Sequence, residues 1–394
     1  MAAPGEPVDF QLTEQQKLVR DTARDFVDRE IVPHAREWEE KGEIPRTFYT
    51  KMAALGWLGA PVPEAYGGAG MDYVSFMLLV EEISRGSSSV RTTVSVQTSL
   101  SETSLMWFGT EEQKQRWLVP LAKGEKLGAW AITEPDAGSD AANLQTTAEL
   151  RGGEWVLNGQ KRFISNGGIA DYVQVYARQP GTKRHDGISL FLVPKGTPGF
   201  RVTHEETKTK LGLRASPTAD LAFEDCHVPE DHLIGTRGNG WEQAMKTLNS
   251  GRIGIAAGAV GVARAALEAA TKYVKERKAF GRPIGDFQLI REMIAQSAVE
   301  IDAARLLTLR AAHLRDLGQD NTIEVSMAKL FGAQMAQRVT DWAVQMHGGY
   351  GFSGEFDVER YFRDARILGL YEGTNEIQKL IIAEHVLGPS GRKD

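Results

Sequence analysis

Apolar positions recur at helical spacing through the first third of the chain. Leu18, Val19, Ala23, Phe26 and Val27 follow Thr13-x-x-Gln16, a pairing that reads as a capping box at a helix start. Pro33, Pro45, Pro61 and Pro63 punctuate what comes next, and 61–70 is a turn-rich connector. Apolar helices are predicted over 73–83 and 91–108, and Thr110-x-x-Gln113 opens another that ends near Pro120. At Gly128 the period changes. Short runs rich in β-branched and aromatic residues, separated by Gly, Pro, Asn or Asp, predict strands at 129–132, 146–150, 154–165, 172–177, 188–193, 200–203 and 219–223. A glycine-rich loop at 234–240 ends this region and helix returns from Trp241. Long Ala/Leu-rich stretches at 256–274, 286–314, 323–346 and 377–386 predict a four-helix bundle. The pattern therefore predicts a mostly α protein with a central β domain: an N-terminal helical domain (1–125), a middle β-barrel-like domain (126–237) and a C-terminal four-helix bundle (238–394).

Composition narrows the class without changing the outline. With 394 residues, 25% charged and 42% hydrophobic, the chain is long enough for more than one core and has the balance of a globular protein. A net charge of −6 offers no chain-wide attraction to nucleic acid or anionic membrane. The single cysteine, Cys226, excludes an intrachain disulfide and a multi-cysteine metal site, as in a reducing compartment. Residues 1–9 lack the basic and apolar segments of a signal peptide, and no apolar run reaches the ~18 residues of a membrane span. A soluble cytoplasmic protein with no membrane insertion and no metal is expected.

Three segments carry candidate chemistry. Tyr371-Glu372-Gly373-Thr374-Asn375 puts a carboxylate at a break between helices, where Gly373 lets a flat ligand approach and Thr374 or Asn375 can cap the helix that follows. A base beside exposed backbone N–H groups suits chemistry that creates an oxyanion, although an acidic residue ahead of a helix also merely complements its dipole. In the β region, the loop 133–140 could line a planar polar ligand, and Asn158-Gly159-Gln160-Lys161 reads as a hairpin turn delivering Arg162-Phe163-Ile164-Ser165. No Gly-x-Gly-x-x-Gly joins a strand to a helix, so a Rossmann-type site is not indicated. In the bundle, Arg277 suits a pyrophosphate and Gln345 to Gly351 offers backbone donors in a helix break.

Taken in order, 131–140, 158–161, 276–281, 345–351 and 371–374 resemble the acyl-CoA dehydrogenase family over essentially the whole chain. The resemblance implies non-covalent FAD, a homotetramer, oxidation of acyl-CoA thioesters to trans-2-enoyl-CoA in fatty acid metabolism, and transfer of the electrons to an electron-transferring flavoprotein. Glu372 matches the family's catalytic base, which removes the α-proton while the β-hydride passes to flavin N5. The resemblance further implies that Trp130, Ile132, Thr133, Gly138 and Ser139, with Phe163, Ile164 and Ser165, line the isoalloxazine. Arg277, Phe280, Gln288, Gln345 and Gly349 would reach the adenosine diphosphate of a neighbouring subunit's FAD, and Thr374 and Glu376 would contact it from the bundle. Ser139, Asn249, Arg252 and Gly373 would meet the thioester.

Two departures bear on mechanism. Phe163 and Ser165 stand where many relatives carry tryptophan and threonine. Gly251 stands where the isovaleryl and long-chain branches carry an alternative base, which leaves Glu372 as sole candidate. For the substrate, 371–378 resembles the short-chain, butyryl-type branch, and a short saturated acyl-CoA is expected. The segment 91–100 is instead similar to the one with which glutaryl-CoA dehydrogenase holds a distal carboxylate, here through Arg91 and Ser95. A direct oxidase on the same fold and a flavin-bearing nucleic-acid binder are the other readings. The former wants a C-terminal extension and the latter a basic face.

Overall fold

The structure, a computed structural model, describes residues 11–388; the segment read for a leader and the last six residues lie outside it. Both capping boxes form. Gln16 N donates to Thr13 Oγ1 at 3.2 Å while Thr13 N donates to Gln16 Oε1 at 3.0 Å, and Thr110 and Gln113 repeat the exchange. The helix Tyr73–Gly86 is buried along its whole length, which explains its lack of a polar face. Its ionisable residues are paired: Arg264 bridges Glu81 and Glu82 at 2.6 Å to each. The next segment, from Ser88 to Phe108, is one helical rod with a π-helical section at Val96–Glu102. Its faces meet the β region on one side and the bundle on the other.

The middle region holds β1 (Gly128–Ala131), β2 (Thr147–Arg151), β3 (Glu154–Ser165), β4 (Tyr172–Arg178), β5 (Ile188–Pro194), β6 (Phe200–Glu206), β7 (Thr218–Pro229) and β8 (Leu233–Ile234). They form one sheet in the order β6-β7-β3-β2-β4-β5-β8, with β1 joined to β4 in parallel. The sheet does not close, so the barrel-like expectation is corrected to an open sheet. The hairpin expected at 158–161 is also corrected. Those residues lie inside β3, and the turn between β2 and β3 is Gly152–Gly153. Gly159 serves a bulge, with φ of 147° and no room for a side chain against Thr146.

The bundle consists of Gly240–Glu276, Gln288–Asp316, Thr322–His347 and Asn375–Leu387. The first of these begins at Gly240, beside the Trp241 where helix was expected to return, and runs unbroken through the stretch expected from 256. Gly251, Gly254 and Gly258 weaken its helical signal, yet Gly251 and Gly258 each face a neighbour that a side chain would strike. This helix also corrects the expectation that no run is apolar enough to cross a bilayer: by length and composition it is, but 78% of its apolar window is buried as a core helix.

Candidate active site

The sheet, the Ser88–Phe108 rod and the bundle meet around one cavity of about 660 Å³. Arg91, Ser95, Trp130, Ile132, Thr133, Gly138 and Ser139 line it, with Phe163, Ile164, Ser165, Arg252, Glu372 and Gly373. Thirteen residues singled out from sequence thus share one space.

Glu372 enters it from a chain break. The short helical turn Arg366–Gly369 ends at Leu370, and Thr374 caps Asn375–Leu387 by accepting from Ile377 N at 3.3 Å. Between them the backbone is left-handed at Glu372, with φ of 51°, and at Gly373, with φ of 89°. A glutamate in that region is strained and persists because its surroundings hold it. Arg252 Nε donates to the Glu372 carbonyl at 2.9 Å, and Lys329 Nζ donates to the Gly373 carbonyl at 2.7 Å. The Glu372 side chain is left free: Oε2 is buried and has no hydrogen-bond partner among the described residues. Burial pushes its carboxyl up to about 7, against the opposing pull of Arg91, Arg252 and Lys329.

The opposite wall comes from the sheet. Arg162 N donates to Thr133 O at 2.9 Å, tying the loop after β1 to β3. A second bulge in β3 opposite β7 puts Phe163 at φ of 59°, and Phe163 N donates to Asp220 Oδ1 at 3.2 Å. Beneath this wall Lys161 and Glu134 form a buried pair at 2.7 Å. Glu134 also accepts from the backbone N–H of Gln145 and Thr146. Ser216 Oγ, on a cavity-lining residue, is buried without a partner among the described residues, and the Trp130 ring meets the buried Tyr176 edge-on at 4.9 Å.

The remaining residues from the sequence reading lie elsewhere. Arg277, Gln345 and Gly349 line a second cavity of about 560 Å³ with Tyr273, His347 and Tyr350. Phe280 is 94% exposed and Gln288 is exposed near it. Glu376 lies in the first turn of the last helix, outside both cavities. Asn249 turns away from the main cavity toward the start of Thr322–His347, donating to Asn321 Oδ1 and Thr322 Oγ1 at 3.3 Å each. Sequence reasoning missed Trp241, Met245 and Leu248 at the cavity, and it missed Lys329 beneath Gly373. Lys329 had a usable signal: it falls on the helix face shared by Val325, Ser326, Gly332 and Ala333, all buried.

Family models decide the relationship. Those described as acyl-CoA dehydrogenase N-terminal, middle and C-terminal domain match 13–125, 129–226 and 238–387 in turn. The chain belongs to the acyl-CoA dehydrogenase family. Members of that family are oxidoreductases. A short-chain specific acyl-CoA dehydrogenase of Clostridium acetobutylicum is 46% identical over 95% of this chain and 99% of its own. A chain in the solved electron transferring flavoprotein structure of Acidaminococcus fermentans is 44% identical and superposes with a TM-score of 0.95 over 97% of this chain and 100% of that one. A glutaryl-CoA dehydrogenase of Mycobacterium smegmatis, solved in complex with FADH2, is 34% identical with a TM-score of 0.91 over 97% of both chains. All three are similar over nearly their whole length.

Proposed function

We propose that this chain is an FAD-dependent dehydrogenase of short acyl-CoA thioesters, with Glu372 as the base that removes the α-proton. The observation that carries this is the Glu372 carboxyl: buried, unpartnered at Oε2, held up to about 7, and aimed into a cavity large enough for a ring and an acyl chain. The donor set fits a flavin. Ser216 Oγ is a buried polar atom without a partner among the described residues, and Thr133 and Ser165 add hydroxyls on the same wall. FAD, when bound there, supplies the acceptor at N5 for the hydride leaving the β-carbon.

The chain's own groups do the rest. Trp241, Met245 and Leu248 line the same cavity and would give the substrate apolar contact. The backbone N–H of Glu372 donates to the thioester carbonyl, polarising it as the α-proton leaves. Arg91, Arg252 and Lys329 make the surroundings net positive, which favours the ionised base and the enolate-like charge that develops. A base near 7 is matched to proton abstraction at neutral pH. Phe163, on the bulged strand, lines the same cavity and would help hold the cofactor. The electron acceptor of the overall reaction would be an electron-transferring flavoprotein, in line with the electron transferring flavoprotein structure among the chain's neighbours. Arg277, Gln345 and Gly349 lie in a separate cavity from Glu372, which supports an assembly in which that cavity serves a neighbouring subunit's cofactor.

A second reading of the substrate rests on Arg91. Its side chain is 1% exposed, Nη2 donates to Tyr371 Oη at 2.5 Å, and Nε and Nη1 have no partner among the described residues. Ser95 Oγ and Ser99 Oγ are likewise buried and unpaired, and Gly254 leaves space beside both. Burying a guanidinium with free donors is costly unless a ligand pairs them, and a short acyl chain ending in a carboxylate would.

Anaerobic mixing of the holoprotein with butyryl-CoA and with glutaryl-CoA tests both readings. Wild type is expected to bleach its flavin and Glu372→Gln to remain yellow with either thioester. Bleaching by Glu372→Gln at the wild-type rate would end the proposal. Arg91→Ala separates the substrates: selective loss on glutaryl-CoA supports the distal carboxylate, and equal loss on both removes it.

A further inference from the structure

Lys329 is buried to 0% exposure in the middle of Thr322–His347, and its ammonium serves the base loop and not a carboxylate. Nζ donates to the Gly373 carbonyl at 2.7 Å and reaches Asn375 Oδ1 at 3.5 Å. Gln378, equally buried one turn into the following helix, donates Nε2 to the same carbonyl at 3.2 Å. On the other side of the peptide, Arg252 Nε holds the Glu372 carbonyl at 2.9 Å. Two successive carbonyls at a left-handed break are therefore gripped by three side chains from three stretches of helix.

From this geometry we infer that Lys329 is a positioning residue for the reaction: by holding the Gly373 carbonyl it fixes the left-handed Glu372–Gly373 backbone that aims the carboxyl into the cavity, and its charge favours the ionised base. The inference rests on the assignment of Glu372 as the base and extends it to a residue that touches neither substrate nor cofactor.

Two physical arguments support it. A lysine taken from water into a buried helix face is expensive, and burial pulls its ammonium down to about 8. Charge-assisted hydrogen bonds to a carbonyl return part of that cost, whereas an apolar side chain would carry none of it. The position also matters. Glu372 is faced by Arg91 from the Ser88–Phe108 rod, Arg252 from Gly240–Glu276 and Lys329 from Thr322–His347, with Tyr371 beside it. Of these cations, Arg91 grips the neighbouring tyrosine and Arg252 the base's own carbonyl, leaving Gly373 to Lys329 and Gln378.

The test compares Lys329→Met and Gln378→Leu holoproteins with wild type, after flavin content and melting temperature have been measured for each. The readout is the first-order rate of anaerobic flavin bleaching by a saturating short acyl-CoA between pH 5.5 and 9. Lys329→Met loses a carbonyl clamp and a charge. It should bleach more slowly at every pH, and its acid limb should move up by about one unit, a further tenfold loss well below the limb. Gln378→Leu loses a clamp but no charge, so its rate should fall while its limb stays in place. If both variants with full flavin content match wild type in rate and limb, Lys329 only props the fold and the inference is overturned. Should Lys329→Met fail to fold, an unchanged rate in Gln378→Leu overturns the positioning argument. Failure of wild type to bleach would instead remove the underlying function.

Discussion

Gly251 and Glu372 meet without room to spare: a Cβ on residue 251 would stand 3.0 Å from the Glu372 carboxyl carbon, closer still to Oε2, and 2.9 Å from Leu100 Cδ2. The glycine is therefore part of how the Glu372 carboxyl, the proposed base, is aimed. Gly251→Ala should leave the fold intact, since alanine favours a helix, yet swing the carboxylate off its line. Displacement of a catalytic group by about 1 Å can cost on the order of a hundredfold in rate. The expected result is a flavin-replete protein with kcat lowered at least tenfold. Wild-type kcat in Gly251→Ala would mean that Glu372 adopts another rotamer in turnover.

The same carboxyl predicts a pH dependence of stability with a definite sign. Burial raises Glu372 from 4.5 to about 7 in the folded chain. Between those values the native state binds more protons than the unfolded one, so this group's contribution is greatest below the lower value and declines as pH rises through the upper. The full span is worth roughly 3 kcal/mol at a conversion of about 1.4 kcal/mol per unit. Glu372→Gln should match wild type near pH 4.5 and exceed it in denaturant midpoint at pH 8. A constant difference across that range would contradict a raised carboxyl. In turnover, the ionised fraction of the free enzyme sets the acid limb of kcat/KM, expected near 7.

Arg91 predicts a trade between stability and function. Two of its guanidinium nitrogens are buried without partners, and its one hydrogen bond is to the Tyr371 phenol. Replacing a poorly compensated buried charge with an apolar side chain of similar length is commonly neutral or stabilising. Arg91→Met should therefore raise stability, by about 1 kcal/mol or more. Loss of stability in this variant would show that the guanidinium is already paid for by the fold.

These outcomes also explain what could be read in advance. Helix caps at Thr13 and Thr110 were legible because they depend on residues three apart. The strand 154–165 was legible in extent because its ends are marked by Gly153 and Asn166, although buried Lys161 and exposed Phe163 reverse the residue pattern within it. Glu372 stood out because a carboxylate beside glycine at a helix break is a local pattern. Glycine itself misled: the same residue type marks a turn at Gly152 and close packing at Gly159 and Gly258, and sequence spacing does not distinguish them. Nor does sequence expose a contact such as Arg91 with Tyr371, 280 positions apart, or the clamp of Lys329 on Gly373. The rest of the site is built by such long-range meetings, whose signal for Lys329 is a charged residue on a buried helix face of small and apolar residues.

The buried pair under the sheet wall makes the last prediction. Lys161 Nζ reaches Glu134 Oε1 at 2.7 Å and the Ile132 carbonyl at 3.2 Å, with both side chains almost fully enclosed. Glu134 in turn gathers the N–H groups of Gln145 and Thr146, so the pair ties the end of β1 to β3 and to the entry of β2. Its carboxyl is held below the usual range by Lys161 and the backbone donors, in spite of burial. Removing one member strands the other charge, a loss of about 3–5 kcal/mol. Lys161→Met and Glu134→Gln should each lower the denaturant midpoint and loosen the flavin, because Ile132 and Thr133 lie directly above. The double variant should recover part of the loss, giving a coupling on the order of 1–3 kcal/mol in a double-mutant cycle. Strict additivity would mean that the two groups act independently and that the backbone donors alone hold the loop.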